Sequence, residues 1–225
     1  VRMGPGHRSK QDRTEDFLGH SGERVGGNDL DILLAGRQLM PLFGMQSTLK
    51  NGLPMPTQAY WDAVSTNNVS AQTNFNHKKT ALHLEQLLRD ASEPAFIERF
   101  INLRKQKQNH HVVRSAEQCK VALSSNAMSY VDLSYVEAGL GCEVTRQQFS
   151  ESIELPLNKM ASLMDEAIAQ AGCKPDLVYL TGGSGKSLDI RRTLANKLGA
   201  IDVLDGNHFG SVTAGLTLWA ERLFA

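Results

Sequence analysis

Cysteine is scarce in this chain. Cys119, Cys142 and Cys173 are the only three among 225 residues, an odd number with no paired metal spacing, which fits a reducing, cytoplasmic compartment. An excess of charge of either sign is also lacking. Lysine plus arginine and aspartate plus glutamate each total 24, so no global field argues for nucleic acid or a membrane surface as a partner. No apolar run reaches membrane-spanning length, and no signal peptide is expected. No Ser/His/Asp or Cys/His arrangement can be assembled, and no carboxylate pair with acid–base geometry. His110 and His111 are neighbours facing about 100° apart on a helix, with no other His or Cys at ligand spacing. There is no initiator Met at position 1, so the chain is expected to be a piece of a longer protein.

What is present is enough chain to bury a real core, in one large domain or two small ones. Residues 1–24 are polar, with Val1–Met3 a possible strand end. Leu30–Phe43 carries helical apolar spacing behind Asn28 as a plausible N-cap, with Pro41 bending or ending the helix. Residues 44–76 read as a long surface loop anchored by Tyr60, Trp61 and Val64. His77–Arg89 and Glu93–Leu123 are helical in pattern, with Phe96, Phe100 and Leu103 on one side and Arg104–Lys107 on a solvated face. Tyr130–Tyr135 and Cys142–Val144 form a hairpin, and Thr145 with Gln148 makes a capping box. Ile153, Leu157, Met160, Met164 and Ile168 then give a core-facing stripe that ends near Gly172. A strand at Ala200–Leu204 and a last helix bearing Val212, Leu216, Trp219 and Leu223 complete the pattern.

Three stretches could carry chemistry. In the first, Leu177–Leu180 reads as a buried, parallel strand, followed by Thr181–Ser187 and a helix to Leu198. Strand, glycine loop and helix bring backbone amides to a phosphate, although a tight turn needs the same glycines. A P-loop is disfavoured and kept only as an alternative: the glycine required five positions before Gly185 is Leu180, and little chain follows for a metal-binding strand. In the second, Gly26 and Gly27 precede a helix and offer another anion cradle, or a flexible turn. In the third, Glu117, Lys120, Val121 and Ser124 share one helical stripe, which spacing alone favours as an ordinary exposed Glu–Lys pair, although a purine base and ribose need such a surface.

Taken in order, Gly26–Asp31, Ser115–Ser125 and Val178–Ser184 resemble the nucleotide-binding domain of the seventy-kilodalton heat-shock (DnaK-like) chaperones, with Gly210–Gly215 similar to that domain's last helix. The resemblance runs from about Arg24 to the end and is nearest to the short YegD-type members. It implies an α/β fold: an actin-like ATPase (ribonuclease-H-like) lobe over residues 1–27 and 125–225, with an inserted, mainly helical subdomain over 28–124. It also implies that Gly26 and Gly27 approach the phosphates of ATP or ADP. Glu117, Lys120, Val121 and Ser124 line the adenosine pocket, Gly182, Gly183 and Ser184 close its other side, and Lys186 lies near the base.

Val121 and Lys186 stand where relatives carry arginine, and Phe209 where they carry aspartate. The first phosphate loop, the catalytic Lys and Glu and the Mg-binding aspartates of the family have no counterpart here. No catalytic residue and no metal ligand is assigned, and ATP turnover by this chain alone is not expected. The expected partners are an adenine nucleotide and a co-chaperone or exchange factor on the inserted subdomain. The competing readings are a non-enzymatic interaction module and, disfavoured by Leu180, a P-loop phosphotransferase.

Overall fold

The computed structural model describes residues 1–8, 10, 12–199, 201–207 and 210–224. The protein is α/β and mostly helical, with two small sheets, and no described helix is long and apolar enough to cross a membrane. It divides into two compact units, Val1–Gly27 with Leu155–Ala225, and Asn28–Glu154.

The polar arm of the first unit holds α1 (Pro5–Arg8) and a 3-10 turn at Thr14–Asp16; Val1–Met3 is not a strand. One buried carboxylate orders it. Asp16 accepts from Arg13 Nε at 3.0 Å, faces His7 Nδ1 at 2.7 Å and has Lys10 Nζ at 3.5 Å. The Arg13 hydrogen bond, helped by His7 and Lys10 against desolvation, holds the Asp16 carboxyl down at about 2.

The second unit begins at Asn28, inside α2 (Gly27–Leu34), which passes into a π turn at Ala35–Leu39 and a 3-10 turn at Met40–Phe43. Asn28 therefore sits inside the first turn of α2 and does not cap it, and the expected single helix is three segments. Gly36 lies so close under Trp61 that a Cβ would stand 2.3 Å from its ring. The stretch expected to be a long loop contains two helices, α3 (Gln58–Val64) and α4 (Val69–Asn76). Tyr60 and Val64 do anchor it, fully buried, but Asn68 caps α4 by accepting from the Ala71 amide at 3.1 Å.

Next come α5 (Lys78–Asp90), α6 (Pro94–Lys105) and α7 (Asn109–Leu123). The helical run expected across Glu93–Leu123 is broken after Lys105, where Lys107 adopts φ 56°. Phe100 on α6 is the centre of the core. It stacks on Tyr60 at 4.2 Å between centroids and meets Phe75 and Phe43 at 5.7 and 6.4 Å. Arg104 is not on a solvated face. It donates to the carbonyls of Phe75, Asn76 and His77 and so closes the end of α4.

The hairpin pairs β1 (Met128–Asp132) with β2 (Gly141–Thr145) antiparallel, and the capping box of Thr145 and Gln148 opens α8 (Arg146–Ser152). Both belong to the second unit, which runs to Glu154 and not to the expected end at Ser124, because β1 packs along α7.

The rest of the first unit is α9 (Glu154–Ala171), β3 (Leu177–Leu180), α10 (Leu188–Leu198), β4 (Asp202–Asp205) and α11 (Ser211–Phe224). The β3 and β4 strands pair in parallel across α10, a βαβ unit. Burial differs from expectation. Leu177 and Tyr179 of β3 are exposed, the stripe of α9 is only half-buried, and Val212, Leu216 and Trp219 of α11 face solvent. With two strands the sheet cannot cover the apolar residues that the sequence gives it. The side chain of Leu223 and all of Ala200 lie outside the described residues.

The pKa of Asp16 in the folded state lies below its unfolded value, so its contribution is complete above the carboxylate range and is lost as pH falls from about 4 toward 2. Asp16→Asn should flatten that acid limb for residues of the first unit, as read by amide exchange. In the second unit, Phe100→Ala should lower stability by about 3–5 kcal/mol in urea unfolding, because three aromatic neighbours lose their common contact.

Candidate functional site

On α7, the stripe singled out by spacing faces outward. Glu117 is exposed, Val121 is 63 % exposed, and Ser124 stands at the helix end with its Oγ donating to the Lys120 carbonyl at 3.3 Å. Lys120 is the exception, since only 19 % of its side chain is exposed. Its Nζ stands 2.7 Å from Asp31 Oδ1, in a pairing between helices rather than along one.

Asp31 lies one turn beyond Gly27 on α2 and is buried. Burial pushes its carboxyl pKa upward and Lys120 pulls it back, while Glu117 and Asp29 add to the upward push. Asp29, in the first turn of α2, complements the positive helix end and accepts from Asn67 Nδ2 at 2.8 Å. The ion pair thus brings the helix of the first motif against the stripe of the second. Asp31 had no role in the sequence reading. The available signal was an apolar helix start carrying a second acid that no lysine within a turn could neutralise.

The glycine loop belongs to the first unit, as do Gly26, which is exposed, and Gly27, which is half-buried. Leaving β3, Gly182 adopts φ 85°, a left-handed value that a side chain would resist. Gly183–Lys186 then forms a 3-10 turn, with Gly183 and Lys186 exposed and Ser184 half-buried. The Gly185 amide donates to Gly182 O and the Ser187 amide to Ser184 O, both at 3.0 Å. Those two amides close the turn on itself, whereas a P-loop turns its amides to phosphate. Arg191, which the spacing did not single out, locks the turn: its Nε donates to Gly185 O at 2.9 Å and its guanidinium pairs with Asp205 at the end of β4. Phe209, where a departure in the pocket floor was expected, lies outside the described residues.

Lys120→Met removes the counter-ion of a buried carboxylate. In buried pairs that step costs about 3–5 kcal/mol, and the partial exposure of Lys120 places this one near the lower end. Urea unfolding should show the loss, and adding Asp31→Asn should recover most of it. The pKa of Asp31 is higher folded than unfolded, so the native state binds the extra proton, and the deficit of the single variant should shrink as pH is lowered through the raised native pKa. No protein-family model matches this chain.

Proposed function

We propose that this chain is the adenosine-side lobe of a cytoplasmic, chaperone-like ATPase with an actin-like fold, and that it is not catalytic alone. The observation that carries the reading is the Asp31–Lys120 pair, which joins α2 to the α7 stripe within the second unit. The donor set fits adenosine. Val121 offers exposed aliphatic surface to a base, Glu117 a free-standing carboxylate to ribose hydroxyls, and Ser124 oxygen lone pairs beside it. The other residues that the resemblance gives to the nucleotide, Gly26, Gly27, Gly182, Gly183, Ser184 and Lys186, belong to the first unit. ATP or ADP supplies the phosphates, with Mg only in the full-length protein. The apolar faces left open on β3 and α11 suit a lobe that packs against more of a longer polypeptide. A co-chaperone or exchange factor is assigned to the second unit.

Titration with ADP, followed by amide shifts of the second unit, tests the reading. Saturable binding should perturb residues around Glu117 and Ser124, and Glu117→Ala should weaken it about ten- to a hundredfold, the worth of a charge-assisted hydrogen bond. Phosphate release from ATP should stay at background. Affinity indifferent to both Glu117→Ala and Ser124→Ala overturns the assignment, and indifference to ADP together with a tight protein partner favours an interaction module.

A further inference from the structure

Within the second unit, a groove of about 540 Å³ runs between α7 and β1. The α7 wall carries His111, Ser115, Gln118 and Ala122, away from the stripe assigned to nucleotide. The other wall includes Ser129, Tyr130, Val131 and Asp132, four successive residues of β1. Side chains of a strand alternate between faces, so a surface that meets four in a row meets the backbone edge.

The ladder shows which backbone groups lie on that edge. Leu133 N donates to Leu140 O at 2.9 Å and Arg146 N to Ala127 O at 2.8 Å, each between residues directly opposite in the register. Hydrogen-bonded pairs alternate in an antiparallel ladder, so Ser129 and Val131 also turn their N–H and C=O toward β2. Met128, Tyr130 and Asp132 turn theirs away. No second strand flanks β1 in its sheet, and among the described residues these outward backbone groups make no hydrogen bond.

We propose that this edge binds an extended segment of a partner polypeptide as an added strand beside β1, with α7 as the second wall. The outward donors and acceptors recur every second residue, about 6.8 Å apart, the repeat of another extended backbone. The site is preformed. His111 stacks on Tyr135 at 3.8 Å, and Ser115 Oγ lies 3.3 Å from the Tyr135 hydroxyl, which fixes the wall. The Tyr130 ring is folded over Gly141, where a Cβ would stand 2.3 Å from its hydroxyl, so the ring lies along the sheet face. The chemistry of the segment follows from the lining. Asp132, held below the usual carboxylate range by its bonds from the Ser134 hydroxyl and amide, faces the groove, and none of the described lining residues is a lysine or arginine. The segment therefore carries basic side chains among small polar and β-branched ones. This proposal stands apart from the nucleotide reading and does not rest on it.

The probe is the peptide acetyl-Lys-Thr-Val-Thr-Lys-Val-amide, added to the whole chain, with amide hydrogen exchange as the readout. At saturation the Tyr130 and Asp132 amides should slow at least tenfold, while those of Ser129 and Val131, already in the ladder, should change little. The same peptide N-methylated at alternate residues should bind at least tenfold more weakly. Tyr130→Pro, which removes an outward donor and spares the ladder to β2, should abolish binding with the far-UV spectrum retained. If that variant unfolds, the methylated peptide still decides. Unchanged exchange at Tyr130 and Asp132 in millimolar peptide, or equal binding of the methylated peptide, overturns the proposal. Concentration-dependent protection of those amides without peptide also overturns it, because the occupant is then a second copy of the chain.

Discussion

A carboxylate buried on α2 has to find a cation, and Lys120 of α7 is the one it finds. Left alone in the interior, the Asp31 charge would cost several kcal/mol, so the two helices are stable together only where Nζ reaches Oδ1. An apolar pair at these positions would pack at least as well, yet it would tolerate a slide of α2 along α7. The ion pair does not, since a shift of one turn strands the charge. A polar contact at this point therefore sets register more than it adds stability, and the diglycine end of α2 inherits that register.

Much of what the sequence withheld has the same cause, polar side chains that act across elements. Residues 44–76 look like a loop because they are rich in Asn, Gln, Ser and Gly. Several of those polar groups are helix caps. Gln72 Nε2 donates to the carbonyls of Asp62, Ala63 and Ser65 at the end of α3, and Asn109 Nδ2 reaches both Ala63 O and Gln72 Oε1. Arg104 does the same for α4 from a neighbouring helix. A helix whose end is closed by a residue remote in sequence shows no local stop signal, so a composition-based reading mistakes its caps for solvation.

Signals that act over a few residues were legible for the same physical reason in reverse. The Thr145–Gln148 box, the antiparallel hairpin, Pro94 in a first turn and the β3–loop–α10 order each depend on neighbours in sequence, and each stands in the structure. The candidate site was legible as three separate stretches. What was not legible was Asp31 as the link between two of them, or Arg191 as the clamp on the third, because each partner lies on another element. The burial of β3 failed differently. An apolar run states a demand for cover, but only neighbouring elements can supply it, and Tyr179 remains 57 % exposed.

The helix α7 shows how an element can serve the core and still carry polar groups on both sides of it. Its buried seam runs through Val112, Ala116, Cys119 and Leu123, at i, i+4, i+7 and i+11, and Val113 and Ser115 widen it on either side. At about 100° per residue, Glu117, Lys120, Val121 and Ser124 lie on one flank of that seam, and His111, Ser115, Gln118 and Ala122 on the other. Here both flanks keep polar groups at helical spacing, and both are held by a partner, one by the carboxylate of α2 and the other by Tyr135, which stacks on His111 and meets Ser115. Stability asks for Lys120 on one flank but not for the exposed Glu117, Val121 and Gln118, whose chemistry is better explained by what each is placed to touch.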